Sequence, residues 1–189
     1  LDRRDIKYQC FAPNIPQMHV VNHITGQEAK GESRNVMIEA ARIARGKIED
    51  LANARAEDFD ALLVPGGFGA AKNLRDFAVK GSAMTVQPDL LKFARAMHKA
   101  GKPIGLICIA PTMSAQIFGS GVECTIGNDA ETAAAIEAMG GKHLVCPVEK
   151  AVVDKKNKLV TTPAYMLAQR IGEAARGIDD CVEKVLSLI

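Results

Sequence analysis

The chain has 189 residues, of which 48% are hydrophobic, 24% charged and 4% aromatic, and these fractions exclude disordered, collagen-like and linker-rich proteins. The 24 Lys and Arg against 22 Asp and Glu give a net charge of +2, which excludes the strongly basic character of a nucleic-acid-binding protein. No apolar run approaches the roughly 18 residues that cross a bilayer, so we expect neither a nucleic acid nor a membrane as partner.

Strands and helices alternate along what we expect to be a single domain over residues 1–189. The patterns predict strands at 8–12 and 19–24, a helix at 33–44 capped by Ser33, and a strand at 59–64 closed by Pro65-Gly66-Gly67. Next come a helix from Pro88 to Gly101, a strand at 103–107, a helix at 112–118, a strand at 122–126 and a helix at 129–139.

The last part of the chain predicts a hairpin and two helices. Residues 151–154 pair with 158–161 across a lysine-rich turn, and a helix at 164–176 is broken by Gly177 before a second helix at 180–188. Short apolar strands alternating with helices are typical of parallel βαβ units with helices on both faces of a sheet. We therefore predict a three-layer, doubly wound α/β domain with a mostly parallel sheet and an added hairpin.

The first residues bear on whether the sheet is complete, and the cysteines bear on the cellular compartment of the protein. Residues 1–7 look like the end of a helix running into a strand, and Leu1 is not Met, so we expect the first strand of the sheet to precede residue 1. Five cysteines without CxxC spacing indicate reduced thiols and a cytoplasmic protein; a mitochondrial one is the alternative if a transit peptide precedes Leu1. No His or Cys spacing fits a metal site, so we predict no metal and no cofactor.

Cys108 carries the strongest local signal for chemistry. It stands between the strand at 103–107 and the helix that follows, where a tight turn pushes a side chain out above the sheet. The free N–H groups and positive dipole of that helix would favour a thiolate and stabilise an oxyanion. The alternative is that Cys108 is a small buried hydrophobic residue.

The glycine loop Pro65–Gly69 follows the neighbouring buried strand. It matches the dinucleotide-binding fingerprint only in part, because Lys72 stands at the third glycine position, and it lacks the GK[ST] of a phosphate-binding loop. Two adjacent glycines can instead bring backbone N–H groups close to a reactive centre. A tight turn that needs positive φ is the alternative, and it is compatible with that role.

Four segments carry a resemblance to a known family. VPGGFGAAKNL (64–74), KPIGLICIAP (102–111), TIGND (125–129) and VTTPAYMLAQ (160–169) resemble the ElbB-like (enhancing lycopene biosynthesis) members of the ThiJ/PfpI superfamily. The resemblance implies a flavodoxin-like, class I glutamine amidotransferase-like fold, a homodimer and a historical link to isoprenoid biosynthesis. It implies that Cys108 is the nucleophile and that the N–H groups of Gly67 and Ile109 form an oxyanion hole. The candidates for the surrounding pocket are Gly66, Phe68, Asn73, Pro111, Asn128 and Tyr165.

Departures from the superfamily pattern bear on the reaction. Ile109 stands where peptidase-like relatives have His, Asn128 stands where others have His, and the Glu that accompanies the cysteine falls before Leu1. The resemblance implies the first hypothesis, a glutathione-independent glyoxalase-type lyase or hydratase acting on small dicarbonyls such as methylglyoxal and glyoxal. The second is a non-catalytic redox-sensing or stress-related regulatory protein that uses the same cysteine. A glutamine-hydrolysing subunit is disfavoured, because no histidine is placed to activate the thiol.

Overall fold

The computed structural model describes residues 1–189, which form ten short strands and six α-helices. The strands are β1 (Cys10–Ala12), β2 (Val21–Asn22), β3 (Gln27–Glu28), β4 (Ile48–Asp50), β5 (Leu62–Val64), β6 (Ile104–Ile107), β7 (Glu123–Cys124), β8 (Lys142–His143), β9 (Val152–Asp154) and β10 (Leu159–Thr162). The helices are α1 (Val36–Ile43), α2 (Phe77–Lys80), α3 (Pro88–Lys99), α4 (Ser114–Phe118), α5 (Ala130–Ala138) and α6 (Ile171–Leu186).

The largest sheet has the order β5-β6-β10-β9. Its first three strands are parallel, and β9 pairs antiparallel with β10 as the predicted hairpin. The pairs β1–β4 and β7–β8 are also parallel, whereas β2–β3 is antiparallel. The predicted α/β class with mostly parallel strands is confirmed.

Helices cover both faces of the largest sheet. On one face, Ile104 and Leu106 of β6 belong to an 18-residue hydrophobic cluster with the α3 side chains. On the other face, Ile107 joins a smaller cluster that contains Cys181 and Val185 of α6. This alternation follows from the two-residue period of a strand, and it gives the three layers.

Three helix boundaries differ from the prediction. Asn35, not Ser33, caps α1, because its side chain accepts a hydrogen bond from the Ile38 N–H at 3.1 Å while a bridge to Pro16 keeps it extended. The helix predicted at 112–118 begins with a 3-10 turn over Ala110–Met113. The predicted helix at 164–176 begins only at Ile171, after a separate 3-10 turn at Ala164–Met166.

Gly177 does not break the last helix; α6 runs through it without interruption. A Cβ at this position would collide with the Val148 carbonyl oxygen and lie 3.0 Å from Oγ1 of Thr162. The glycine is therefore explained by close packing of α6 against the end of β10, and the prediction of two helices is wrong.

Several elements lie where no strand or helix is predicted. β4 forms a parallel pair with β1, and a π-helical turn (Ala70–Leu74) leads from the glycine loop into α2. The predicted strand at 19–24 shortens to β2, which pairs with β3 across a turn containing Gly26. No helix of the chain is both long and apolar enough to cross a membrane.

Candidate active site

Cys108 lies directly after β6, at the carboxyl end of the largest sheet. Its φ of 64° is in the left-handed region, which costs a non-glycine residue about 1–3 kcal/mol. The backbone is held there because the Cys108 N–H donates to the Thr162 carbonyl of β10 at 2.9 Å. The thiol is half-buried, and its sulfur makes no hydrogen bond within the protein. This strained turn is typical of a nucleophile elbow.

Gly66, at the end of β5, packs against this elbow. A Cβ on Gly66 would lie 2.6 Å from the Ile107 carbonyl oxygen and 2.9 Å from both the Cys108 Cβ and the Ile109 nitrogen. No side chain fits in that space, so the close approach of the two backbones requires glycine. The glycine loop and the cysteine, which are 42 positions apart in sequence (108 − 66), thus meet at adjacent strand ends.

Two backbone N–H groups beside the elbow have no partner in the protein. Neither the Gly67 nor the Ile109 N–H donates a hydrogen bond. Gly67 has a φ of 94°, and Ile109 opens the 3-10 turn that leads into α4. Unpaired donors next to a nucleophile are what an oxyanion hole needs.

Arg75 is a buried cation at this site that sequence reasoning missed. It is 2% exposed, and its Nη2 donates to the Ile109 carbonyl oxygen at 2.8 Å. Burial lowers the pKa of Arg75 to about 10, and the opposite charge of a Cys108 thiolate counteracts part of this effect. No carboxylate forms an ion pair with Arg75, and its Nε has no hydrogen-bond partner. Arg75 lies outside the regular helices and strands. The hydrophobic pattern of that segment therefore does not indicate that its side chain is buried.

Two of the pocket candidates have structural contacts. Pro111 is buried in the 3-10 turn after the elbow. Asn73 joins two loops: its Nδ2 donates to the Gly69 carbonyl at 3.0 Å, and its Oδ1 accepts from the Met18 N–H at 2.8 Å. Asn73 therefore anchors the chain after the glycine loop, which is a supporting contact.

The other three side chains are open to solvent. Phe68 is 79% exposed, with the Lys72 ammonium 5.7 Å from its ring centroid, and Tyr165 is 58% exposed. Asn128 is also exposed and makes no side-chain hydrogen bond. Two surface clefts of the structure, one lined by residues from 118–123 and 153–157 and the other by residues from 149–150 and 176–183, do not include Cys108.

The remaining cysteines differ from Cys108 in their burial. Cys124, Cys146 and Cys181 are buried, whereas Cys10 in β1 is half-buried. Burial raises the pKa of Cys124 to about 11 and that of Cys181 to about 12, and it also raises the pKa of Cys146. Three of the five thiols are therefore poor nucleophiles, because the thiolate is the reactive form.

Two of the four histidines have their contacts away from the Cys108 elbow. The Nε2 of His143 accepts the Ile126 N–H at 3.3 Å, and the ring of His98 packs edge-on against Phe118. No histidine or carboxylate side chain hydrogen-bonds the Cys108 sulfur. No group of three His, Cys, Asp or Glu side chains is arranged to hold a metal ion.

Comparison with known sequences gives the relatives of the chain. The sequence pattern of the DJ-1/PfpI family matches residues 25–168. The chain is 50% identical over its full length to the human protein named "Glutamine amidotransferase-like class 1 domain-containing protein 3, mitochondrial", of which it covers 73%.

Comparison with solved structures agrees on the fold. The crystal structure of a protein named as an isoprenoid biosynthesis protein with an amidotransferase-like domain, from Ehrlichia chaffeensis, superposes with a TM-score of 0.90 at 35% identity, covering 99% of this chain and 85% of that one. Glyoxalase III from Candida albicans superposes with a TM-score of 0.52 at 15% identity, covering 81% of this chain and 68% of that one. The latter similarity concerns the fold alone.

Proposed function

The chain belongs to the DJ-1/PfpI family, and from this premise we propose that it is a cysteine-dependent enzyme that converts small dicarbonyls to hydroxy acids without glutathione. One observation carries the proposal: Cys108 stands on a left-handed elbow, with the unpaired N–H groups of Gly67 and Ile109 on the two strand ends beside it. This arrangement suits addition of a thiolate to a carbonyl carbon and stabilisation of the oxygen that becomes negative.

The reaction with methylglyoxal requires no oxidant. The Cys108 thiolate adds to the aldehyde carbon and forms a C–S bond, and the oxygen takes a proton to give a hemithioacetal. Removal of the C1 proton gives an enediol, and protonation at C2 gives a lactoyl thioester. Water then displaces the thiol and releases lactate, so the sum is methylglyoxal plus water to lactic acid.

The proton transfers need an acid–base group within reach of C1 and C2. None of the described side chains hydrogen-bonds the sulfur, so we propose that the group is a glutamate carboxylate, the acid that the family resemblance implies beside the cysteine. The Gly67 and Ile109 N–H groups would hold the substrate oxygen, and Gly66 would keep the elbow accessible. Phe68 and Tyr165 would line the open approach to the thiol.

Subgroup, compartment and assembly are further parts of the proposal. We place the chain in the ElbB-like subgroup, with the support of the similar Ehrlichia protein, which is named for isoprenoid biosynthesis. The name of the human relative supports a mitochondrial location over the cytoplasmic one. We expect a homodimer from the family resemblance.

Lactate formation tests the proposed activity. The full-length protein is incubated with methylglyoxal in the absence of glutathione, and lactate is measured against time for wild type, Cys108→Ala and Cys10→Ala. Cys10 is the other half-buried thiol, so it is the matched control. We expect turnover in wild type and Cys10→Ala and a loss of at least about 100-fold in Cys108→Ala. Equal lactate formation in all three would refute the proposal.

A redox sensor is the second candidate, and the same free donors favour it. An oxygen added to the Cys108 sulfur would be negative and close to the Gly67 and Ile109 N–H groups. Mild peroxide would then convert the thiolate to sulfenic acid, with the peroxide reduced to water. Peptide mass spectrometry should find the first added oxygen on Cys108; an even distribution over all five cysteines would reject the sensor.

Glutamine hydrolysis is the weakest candidate. It requires a base to activate the thiol and an acid to protonate the leaving ammonia, and histidine usually supplies both. Here Ile109 follows the cysteine, and Asn128 is an exposed residue in the loop after β7. We expect no ammonia release from glutamine, and measurable release would bring this function back.

A further inference from the structure

The buried guanidinium of Arg75 lies against the backbone of the elbow. Its Nη2 donates to the Ile109 carbonyl oxygen at 2.8 Å, and its Nη1 lies 3.5 Å from the Ala70 carbonyl oxygen. Oγ1 of Thr112 donates to the same Ile109 oxygen at 2.9 Å. The Ile109–Ala110 peptide, one residue beyond Cys108, is thus held by two side chains, one charged and one neutral.

The charge of Arg75 has no partner among the carboxylates. Every ion pair of the chain joins other residues, although Arg75 is only 2% exposed. An isolated buried cation is costly and is normally retained only where an anion compensates it. Cys108 directly precedes Ile109, whose carbonyl accepts the Arg75 hydrogen bond, and its thiol becomes an anion when it loses its proton.

We propose that Arg75 is a positioning residue that serves as the counter-ion of the Cys108 thiolate and fixes the Ile109 peptide of the oxyanion hole. A positive charge close to a thiolate in a region of low dielectric stabilises the reactive form of the cysteine. The hydrogen bond to the Ile109 carbonyl would hold that residue in place, and with it the unpaired N–H that the proposed oxyanion hole uses. The inference rests on the proposed role of Cys108 as the nucleophile.

Alkylation of Cys108 by two reagents tests the charge directly. Iodoacetamide is neutral and iodoacetate is an anion, so a nearby cation accelerates the second reagent relative to the first. The rates are measured by peptide mass spectrometry on native full-length protein at pH 7. In Arg75→Gln, which removes the charge and keeps a polar amide, we expect iodoacetamide to react about tenfold more slowly and the iodoacetate-to-iodoacetamide ratio to fall several-fold.

Two further variants separate charge from geometry. Arg75→Lys keeps the cation and should restore the wild-type ratio. Thr112→Val removes the neutral hydrogen bond to the same carbonyl and should leave the ratio unchanged. If Arg75→Gln does not fold, Arg75→Met is the second neutral variant, with circular dichroism as the check of folding.

The outcomes distinguish this inference from the proposed function. A wild-type Cys108 no more reactive than Cys10 would remove the nucleophile and the proposed function together. A reactive Cys108 with the same reagent ratio in the neutral Arg75 variants would overturn the inference alone. An equal fall of the ratio in Thr112→Val would also overturn it, because the effect would then be geometric.

Discussion

At the scale of single residues, the site depends on the absence of a side chain at Gly66. We predict that Gly66→Ala lowers the free energy of unfolding by about 1–3 kcal/mol, because the added methyl lies within 3 Å of three elbow atoms and the backbone has to move. The displaced elbow should also slow alkylation of Cys108. Urea unfolding and alkylation rates measure the two effects.

Gly69→Ala is the matched control for this prediction. Gly69 lies in the same loop, has a φ of −58° and has no atom within 4 Å of an added Cβ. Its substitution should change stability by no more than about 0.5 kcal/mol. If Gly66→Ala were as well tolerated as Gly69→Ala, the close packing against the elbow would be unimportant.

The sequence predicts which residue is exceptional but not what surrounds it. The strand-to-helix junction at Cys108 and the glycines at 66 and 67 can be recognised in the sequence as breaks between apolar runs. Arg75 is not, because its burial depends on the π-helical turn before it and on a bridge to Val86, both of which are tertiary features. The exposure of Phe68, Tyr165 and Asn128 is likewise set by the fold, because the residue type does not determine it.

At the scale of elements, α6 packs closely on the sheet at Gly177, and a substitution of this glycine tests the packing. Alanine is a better helix former than glycine by about 1 kcal/mol, so propensity alone predicts a more stable protein. The collision of the new methyl with the Val148 carbonyl acts against this gain. We predict that Gly177→Ala destabilises the chain by about 1–3 kcal/mol in urea unfolding.

Gly172 in the same helix gives the opposite expectation. The nearest atom to a Cβ there is Nη1 of Arg176 at 3.7 Å, so Gly172→Ala should leave stability equal or raise it by up to about 1 kcal/mol. A stabilising Gly177→Ala would show that α6 can move away from β10, and the packing account of this glycine would be rejected.

The strands of the largest sheet were predictable because each is a short, mainly apolar run bounded by residues that are typical of turns. The helices at 88–101 and 129–139 were predictable for the same reason, since Pro88 and Asp129 mark their starts. Gly177 misled the prediction, because glycine within a helix signals either a break or a close contact, and the sequence does not distinguish them. The short segments β4 and α2 depend on their partners and have too few residues for a periodic pattern.

At the scale of the whole molecule, His143 couples stability to pH. Burial lowers the pKa of His143 below its usual value of 6.5, and Glu137 opposes this shift only in part. The folded state therefore favours neutral imidazole, whose Nε2 accepts the Ile126 N–H. This contribution to stability is fully present above about pH 6.5, the unfolded value, and is lost as the pH falls toward the folded value.

We predict a lower urea midpoint at pH 5.5 than at pH 7.5, a range that lies above the ordinary pKa of about 4 for Asp and Glu side chains. His143→Gln retains an acceptor for the Ile126 N–H but does not titrate, so its midpoint should depend less on pH. The other three histidines are present in both proteins and cancel in the comparison. An equal pH dependence in wild type and variant would assign the effect to other groups.

The fold class was predictable at this scale because strand and helix alternate over the whole length and the composition is that of one globular domain. The division of parallel strands into a four-stranded sheet and separate pairs was not predictable, since it depends on which strand edges meet. The reaction is harder to predict from the sequence than the fold, because it depends on groups that the fold brings to Cys108 from distant positions.

The most direct measurement compares the loss of activity with the modification of a single thiol. Native protein is treated with increasing iodoacetamide, the fraction of Cys108 alkylated is measured by peptide mass spectrometry, and lactate formation from methylglyoxal is assayed on each sample. We predict that activity falls linearly with unmodified Cys108 and reaches zero when Cys108 is fully alkylated, whatever the state of Cys10. Lactate formation that persists after complete alkylation of Cys108 would contradict its role as the nucleophile.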